Sequence, residues 1–208
     1  MSKRIAVLVS GGGTNLQALI DAQARGELSG GEIAVVVSSE PGVFALERAR
    51  RANIPSLVLS PAGCPSAGAY TAALTEKLQD LGIDLVVLAG FLVILTGEII
   101  RAFPNAILNV HPSLIPAFCG EGCYGLFVHQ KALAYGVKLS GATVHFVSEE
   151  CDGGPIVLQK AVEVLPGDTP EALQRRIMEQ CEWKLLPQAV SLFCQDRLRV
   201  EGRQVRIL

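Results

Sequence analysis

Two clusters of polar residues in this chain have types and spacing suited to acid–base chemistry. The first is Asn109-Val110-His111-Pro112-Ser113, which closes an apolar run. In an extended chain Asn109 and His111 point to one face and Val110 to the other, into the core. Pro112 ends the run and fixes the exit of the chain. An amide and an imidazole at a strand end can stabilise an oxyanion. A histidine that only closes a strand by a hydrogen bond is the commoner arrangement. The second cluster is Cys151-Asp152-Gly153-Gly154-Pro155. It reads as an ordinary turn, or as a loop whose glycines bend a carboxylate back toward His111. A carboxylate there favours the charged ring, raises its pKa and suits it to proton shuttling. Sequence spacing leaves both readings open. His145 lies in an alternating strand and faces either the core or the site, whereas His129 reads as structural.

A third element offers an anion site. Ser10-Gly11-Gly12-Gly13-Thr14-Asn15 separates a strand from a helix, where backbone N–H groups and the helix dipole converge. Glycines admit a close approach, and Thr14 and Asn15 add side-chain donors. A dinucleotide fingerprint requires a third glycine at position 16, which is Leu, and no Gly-Lys-Ser/Thr follows as in a nucleoside-triphosphate loop. The turn therefore reads either as a cradle for one phosphate monoester or as a plain tight connection. Its place after the first strand favours the cradle, because ligands of open α/β sheets bind at the carboxyl ends of strands.

The elements that must position these residues alternate along the first hundred positions. Apolar runs over 4–9, 32–38, 56–59, 85–89 and 106–110 predict strands, and helical spacing predicts helices over 15–25, 44–52, 70–81 and 96–103. Such alternation implies βαβ units and a parallel sheet. After residue 110 the pattern changes. A Pro- and Gly-rich loop over 112–125 precedes a helix over 127–135 and two strands over 141–147 and 155–164. One long helix is expected over 169–195, capped by Asp168 or Thr169 and kinked at Pro187, then a strand pair over 197–207 turned at Glu201-Gly202. The expected fold is α/β: a mostly parallel twisted sheet with helices on both faces and a Rossmann-like N-terminal half. A single domain over 1–208 is expected, with a phosphate-binding half over 1–110 and a catalytic half over 111–208.

Composition narrows the function. The chain is 50% hydrophobic and 18% charged, which supplies a sizeable core and excludes a disordered chain. Eighteen basic against 20 acidic residues give a net charge of -2, which argues against a nucleic-acid partner. The apolar runs are too short for a secretory segment or a membrane span, so no membrane partner is expected and the protein reads as cytoplasmic. Of the six cysteines, Cys119 and Cys123 are four apart, a spacing zinc sites can use, but no second Cys/His pair follows at finger spacing, so reduced thiols and no metal are expected.

Ser10 to Leu16, Leu88-Ala89-Gly90-Phe91-Leu92, Asn109 to Pro116 and Asp152 to Pro155 occur in this order, and with them the chain resembles the folate-dependent phosphoribosylglycinamide formyltransferase family. The resemblance spans essentially the whole chain and implies the formyltransferase fold. It implies transfer of a formyl group from 10-formyltetrahydrofolate, as co-substrate, to the amine of glycinamide ribonucleotide in purine biosynthesis. Asn109, His111 and Asp152 would be catalytic. Gly12, Gly13, Thr14, Asn15, Pro112 and Glu182 would hold the ribonucleotide. Phe91, Leu92, Val93, Ile94, Leu95 and Val147, with Asp152, would line the folate cleft. The chain departs from some members at Val93 and Ala67, where they carry basic residues associated with the folate tail. Arg101 or Lys131 could substitute. The loop over 118–125 is longer than in some members and reads as a mobile lid, with its cysteines incidental. A monomer or homodimer acting on small molecules is expected. The nearest rival is a formyltetrahydrofolate hydrolase, whose members usually carry a further domain before the catalytic one. A catalytically silent nucleotide-binding protein of the same fold is the alternative of another class, against which the intact trio argues.

Overall fold

The computed structural model describes residues 2–95 and 97–208. Its described strands form one nine-stranded sheet. The first five strands are β1 (Lys3–Val9), β2 (Gly31–Ser38), β3 (Ser56–Val58), β4 (Leu85–Leu88) and β5 (Ile107–His111). Then follow β6 (Leu139–Phe146), β7 (Ile156–Glu163), β8 (Leu198–Glu201) and β9 (Gln204–Ile207). The order across the sheet is β3-β2-β1-β4-β5-β6-β7-β9-β8. Pairing is parallel from β3 to β5 and antiparallel from β5 through β6 to β7. The change of pattern after residue 110 is thus a change of strand direction within one continuous sheet.

The helices are α1 (Thr14–Ala24), α2 (Phe44–Arg51), α3 (Ala67–Asp80), α4 (Gly97–Ala102), α5 (Leu126–Tyr135), α6 (Pro170–Ile177) and α7 (Trp183–Cys194). They cover both faces, as the alternation of β1 demonstrates. Ile5, Val7 and Val9 join one apolar cluster with Leu16 and Leu19 of α1 and Ala189 and Val190 of α7. Ala6 and Leu8 join a second cluster with Leu74 and Leu78 of α3 and Ile99 of α4. A strand covered on both sides has no polar face, which is why β1 reads as an unbroken apolar run.

Element boundaries differ from expectation where a cap or a polar contact intervenes. α3 begins three residues early because the Ser66 hydroxyl accepts from the Ala69 N–H. The helix expected over 96–103 is described from Gly97, and Thr96 lies outside the described residues. The single helix expected over 169–195 is corrected. Thr169, not Asp168, caps α6 by accepting from Ala172 N–H, while Asp168 binds Arg176 at 2.6 and 2.7 Å. The helix then widens into a π-helical turn over Met178–Glu182 before α7 begins. Pro187 lies inside α7, where it cannot donate back to the previous turn. The widened turn buries both Cys181 and its neighbour Glu182. Such turns often occur where a helix serves a site.

Candidate active site

The first pole of the site stands at the carboxyl end of β5. Asn109 and His111 share one face, while Leu108 and Val110 pack into the first apolar cluster on the other. The antiparallel register sets His145 directly opposite Asn109 and Thr143 opposite His111. Residues opposed in this way point to the same side of the sheet. His145, left undecided by sequence, therefore joins the site, with its Nε2 3.2 Å from Asn109 Nδ2 and 3.6 Å from Asp152 Oδ1. Thr143 anchors the chain leaving Pro112. Its hydroxyl donates to Ser113 O at 2.7 Å and accepts from Ile115 N–H at 3.1 Å.

The loop between β6 and β7 brings Asp152 to the same place. Its Oδ2 lies 3.5 Å from His111 Nδ1, and its Oδ1 accepts from Asn109 Nδ2 at 3.5 Å. Asp152 adopts φ 54°, a conformation uncommon for a side chain that is not glycine. Gly154 permits the bend, because a Cβ there would stand 1.8 Å from Phe146 O. The loop after β5 closes over the trio from the other side. Phe118 O lies 2.9 Å from His111 Nε2, and Gly120 N–H donates to Asp152 Oδ2 at 2.9 Å. These two backbone contacts escaped the sequence, which carries no signature for a carbonyl or an amide aimed at a site.

The electrostatics reverse one expectation. Burial pushes the His111 ring below its usual pKa, and Asp152 and the Phe118 carbonyl restore it only in part. The ring rests neutral near pH 7, with Nε2–H donating to Phe118 O and the Nδ1 lone pair turned toward Asp152. Burial also pushes the Asp152 carboxyl up, but His145, His111 and Gly120 N–H outweigh it and hold the group below the usual carboxylate range. An anionic carboxylate beside a neutral imidazole is a proton acceptor. His129 is fully buried in α5 with no partner on either ring nitrogen, and burial followed by the nearby His111 lowers its pKa to about 4.

The second pole is the glycine turn. Gly13 has φ 71°, and a Cβ there would stand 2.7 Å from Ala45 Cβ, so glycine lets the turn pack on α2. The first N–H groups of α1 open toward the turn. Arg48, which sequence reasoning missed, braces it by donating to Gly12 O at 2.8 Å and to Gln17 Oε1 at 2.9 Å. Arg48 and Thr14 also line a cavity of about 410 Å³ with Trp183 and Lys184. The Asn15 side chain, expected to add an anion donor, already has one partner. Its Nδ2 donates to Glu182 Oε2 at 2.7 Å, and its buried Oδ1 has no protein partner. Glu182, at the end of the π-helical turn, is buried, and desolvation raises its pKa to about 7 against the opposing Asn15 amide.

The residues assigned to a folate cleft follow β4. Leu92 N–H donates to Ser10 Oγ at 2.9 Å, which ties this segment to the end of β1. Leu92 and Ile94 are 64% and 68% exposed, whereas Phe91, Val93, Leu95 and Val147 pack against the second apolar cluster. Alternation thus splits the segment into an open apolar edge and a supporting one. Of the two candidate tail-binding cations, Arg101 lies beside this segment in α4, 4.0 Å from Glu149. Lys131 points instead into the loop, toward Gly122 O and Cys123 Sγ.

Comparison with known proteins places the chain among relatives of one kind. A family model described as "Formyl transferase" matches residues 3–190. A phosphoribosylglycinamide formyltransferase of Haemophilus influenzae is 41% identical over 96% of this chain and 91% of its own length. A trifunctional purine biosynthetic protein of Drosophila melanogaster is 43% identical over 91% of this chain, which spans only 14% of that longer protein. Among solved structures, glycinamide ribonucleotide transformylase 1 from Symbiobacterium toebii superposes with a TM-score of 0.94 at 51% identity, covering 100% of this chain and 94% of that one. A formyltetrahydrofolate deformylase from Pseudomonas syringae superposes at 0.88 with 26% identity, and this chain covers 66% of it.

Proposed function

The chain belongs to the formyl transferase family, and from that premise we propose that it transfers a formyl group from 10-formyltetrahydrofolate to the amine of glycinamide ribonucleotide in purine biosynthesis. The observation that carries the reading is the convergence of Asn109, His111, His145 and Asp152, with every link between them 3.2–3.6 Å long. The amine nitrogen bonds to the formyl carbon, and the carbonyl electron pair moves onto oxygen. Asn109 and His111 are assigned to that oxyanion, each turning an N–H onto it from its present partner, Asp152 or Phe118 O. The proton leaving the nitrogen passes through water to Asp152 and His111. The intermediate collapses by breaking the bond from carbon to the folate nitrogen, which takes a proton. Both charges are met by side chains, so the reaction needs no metal.

The ribonucleotide phosphate is assigned to the backbone of Gly12, Gly13, Thr14 and Asn15. Pro112, at the exit of β5, and Glu182, which accepts from Asn15, are assigned to the rest of the ribonucleotide. The pterin is assigned to the open edge formed by Leu92 and Ile94, backed by Phe91, Val93, Leu95 and Val147, with Asp152 at its inner end. Apolar walls suit a flat ring read through backbone groups. The enzyme is read as cytoplasmic, a monomer or homodimer acting on small molecules, with no nucleic-acid partner. No helix among the described residues is long and apolar enough to cross a membrane.

Amine dependence tests the reading. Absorbance should report deformylation of the folate only when glycinamide ribonucleotide is present. Deformylation without the amine would assign a hydrolase instead, and no deformylation at all would overturn both.

A further inference from the structure

The loop that closes over the trio carries chemistry that formyl transfer does not use. Cys119 and Cys123 lie within it, both half-buried, and Cys151 is exposed on the facing loop beside Asp152. The loop turns sharply between its two cysteines, with Cys123 N–H donating to Gly120 O at 3.0 Å. Lys131, from α5, donates from Nζ to Cys123 Sγ at 3.0 Å. An ammonium at that sulfur is placed to hydrogen-bond the departing oxygen, where negative charge builds as the sulfur attacks a peroxide. Cys119 and Cys151 lack such a partner. Burial first, and Asp152 second, push both of their thiols up.

We propose that Cys123 is a peroxide-sensitive modification site, and that oxidation joins it to Cys119 in a disulfide that draws the loop off the catalytic trio. Cys123 sulfur attacks one peroxide oxygen, the O–O bond breaks, and a sulfenic acid and water form. Cys119 sulfur then attacks the sulfenic sulfur, the S–O bond breaks, and a second water leaves. Two thiols and one hydrogen peroxide thus give one disulfide and two waters. Cys119 resolves because it lies across the same tight turn, and its Sγ gives up only a contact to Pro116 O at 3.3 Å. Its neighbours are the consequence. Phe118 O meets His111, and Gly120 N–H meets Asp152, so re-aiming the Cys119 side chain toward Cys123 displaces both contacts.

The loss of turnover rests on the formyl-transfer reading, whereas the disulfide does not. The experiment treats the purified protein with hydrogen peroxide, counts free thiols, maps disulfides by peptide mass and follows formyl transfer. Two thiols should be lost to a Cys119–Cys123 disulfide, turnover should fall at least tenfold, and dithiothreitol should restore it. Cys123→Ser should keep its turnover under the same dose, and Cys151→Ser should behave like the parent. Inactivation of Cys123→Ser at the parental rate would overturn the proposal. So would a mapped disulfide lacking Cys123, or full turnover with the disulfide formed. A reduced protein with no formyl transfer would defeat the functional reading alone, and the mapped disulfide would still establish the modification site.

Discussion

Two acidic residues close to the site sit in opposite electrostatic states. The Asp152 side chain is 10% exposed and Glu182 is 7% exposed, so burial opposes charge on both. Around Asp152 stand two histidines, the Asn109 amide and the Gly120 N–H, and the carboxyl is held below its usual range. Around Glu182 stands one amide, from Asn15, and the carboxyl is pushed up to about 7. The larger number of donors at Asp152 and the deeper burial of Glu182 together decide the charge. The sheet supplies the difference. Asp152 reaches over paired strands that deliver Asn109, His111 and His145 in register, whereas Glu182 ends a widened helical turn that meets the first turn of α1.

Removing the charge from the anionic corner should have the largest effect. Asp152→Asn keeps the shape but loses the proton acceptor, and general-base assistance is worth about 10²–10⁴-fold in rate. A fall of about 1,000-fold in kcat, with an unchanged melting profile, is expected from steady-state kinetics. Turnover within tenfold of the parent would show that the trio does not act through this carboxylate. Gly154→Ala should come next. Its Cβ would stand 1.8 Å from Phe146 O, so the loop must shift and carry Asp152 with it. Misplacement of a catalytic group by about 1 Å costs on the order of 100-fold. Gly63→Ala is the control, since nothing lies within 4 Å of its added Cβ.

How far sequence alone reached follows the same contrast. Strands such as β1 and β4 were legible because strands buried on both faces write unbroken apolar runs, β7 because a half-exposed strand alternates, and the turn at Gly11-Gly12-Gly13 because turns write glycine. Asn109 and His111 were legible from their two-residue spacing. His145 was not, because placing it required the β5–β6 register, which no local pattern encodes. The fall of the His111 pKa was missed because a carboxylate can be read from sequence and desolvation cannot. The helix over 169–195 was drawn straight through Glu182, since no local pattern in the sequence marks the π-helical turn over Met178–Glu182.

Glu182 tests the uncharged corner through stability. A carboxyl whose pKa rises from 4.5 to about 7 on folding keeps a proton that the unfolded chain releases. Stability therefore falls as pH rises between those values. Integrated over that window, the parent should lose roughly 2 kcal/mol between pH 5 and pH 7.5 through this one group. Glu182→Gln has no such proton, so its loss across the same window should be smaller by that amount in denaturant melts. Parallel pH profiles for the two proteins would mean that Glu182 is ionised in the fold, and the contrast with Asp152 would collapse.

Asn15→Ala is the finest probe and should have the smallest effect. It deletes the amide that donates to Glu182 at 2.7 Å and lowers its pKa. Loss of one hydrogen bond should cost about 1 kcal/mol below about pH 4, where Glu182 is protonated in both states. Above that, without its donor, the carboxyl should hold its proton to a higher pH than in the parent. The decline in stability should then continue past the pH at which the parent levels off near 7. A variant that levels off at or below the parental pH would place another donor on Glu182, and the difference between the two corners would have to come from something other than donor number.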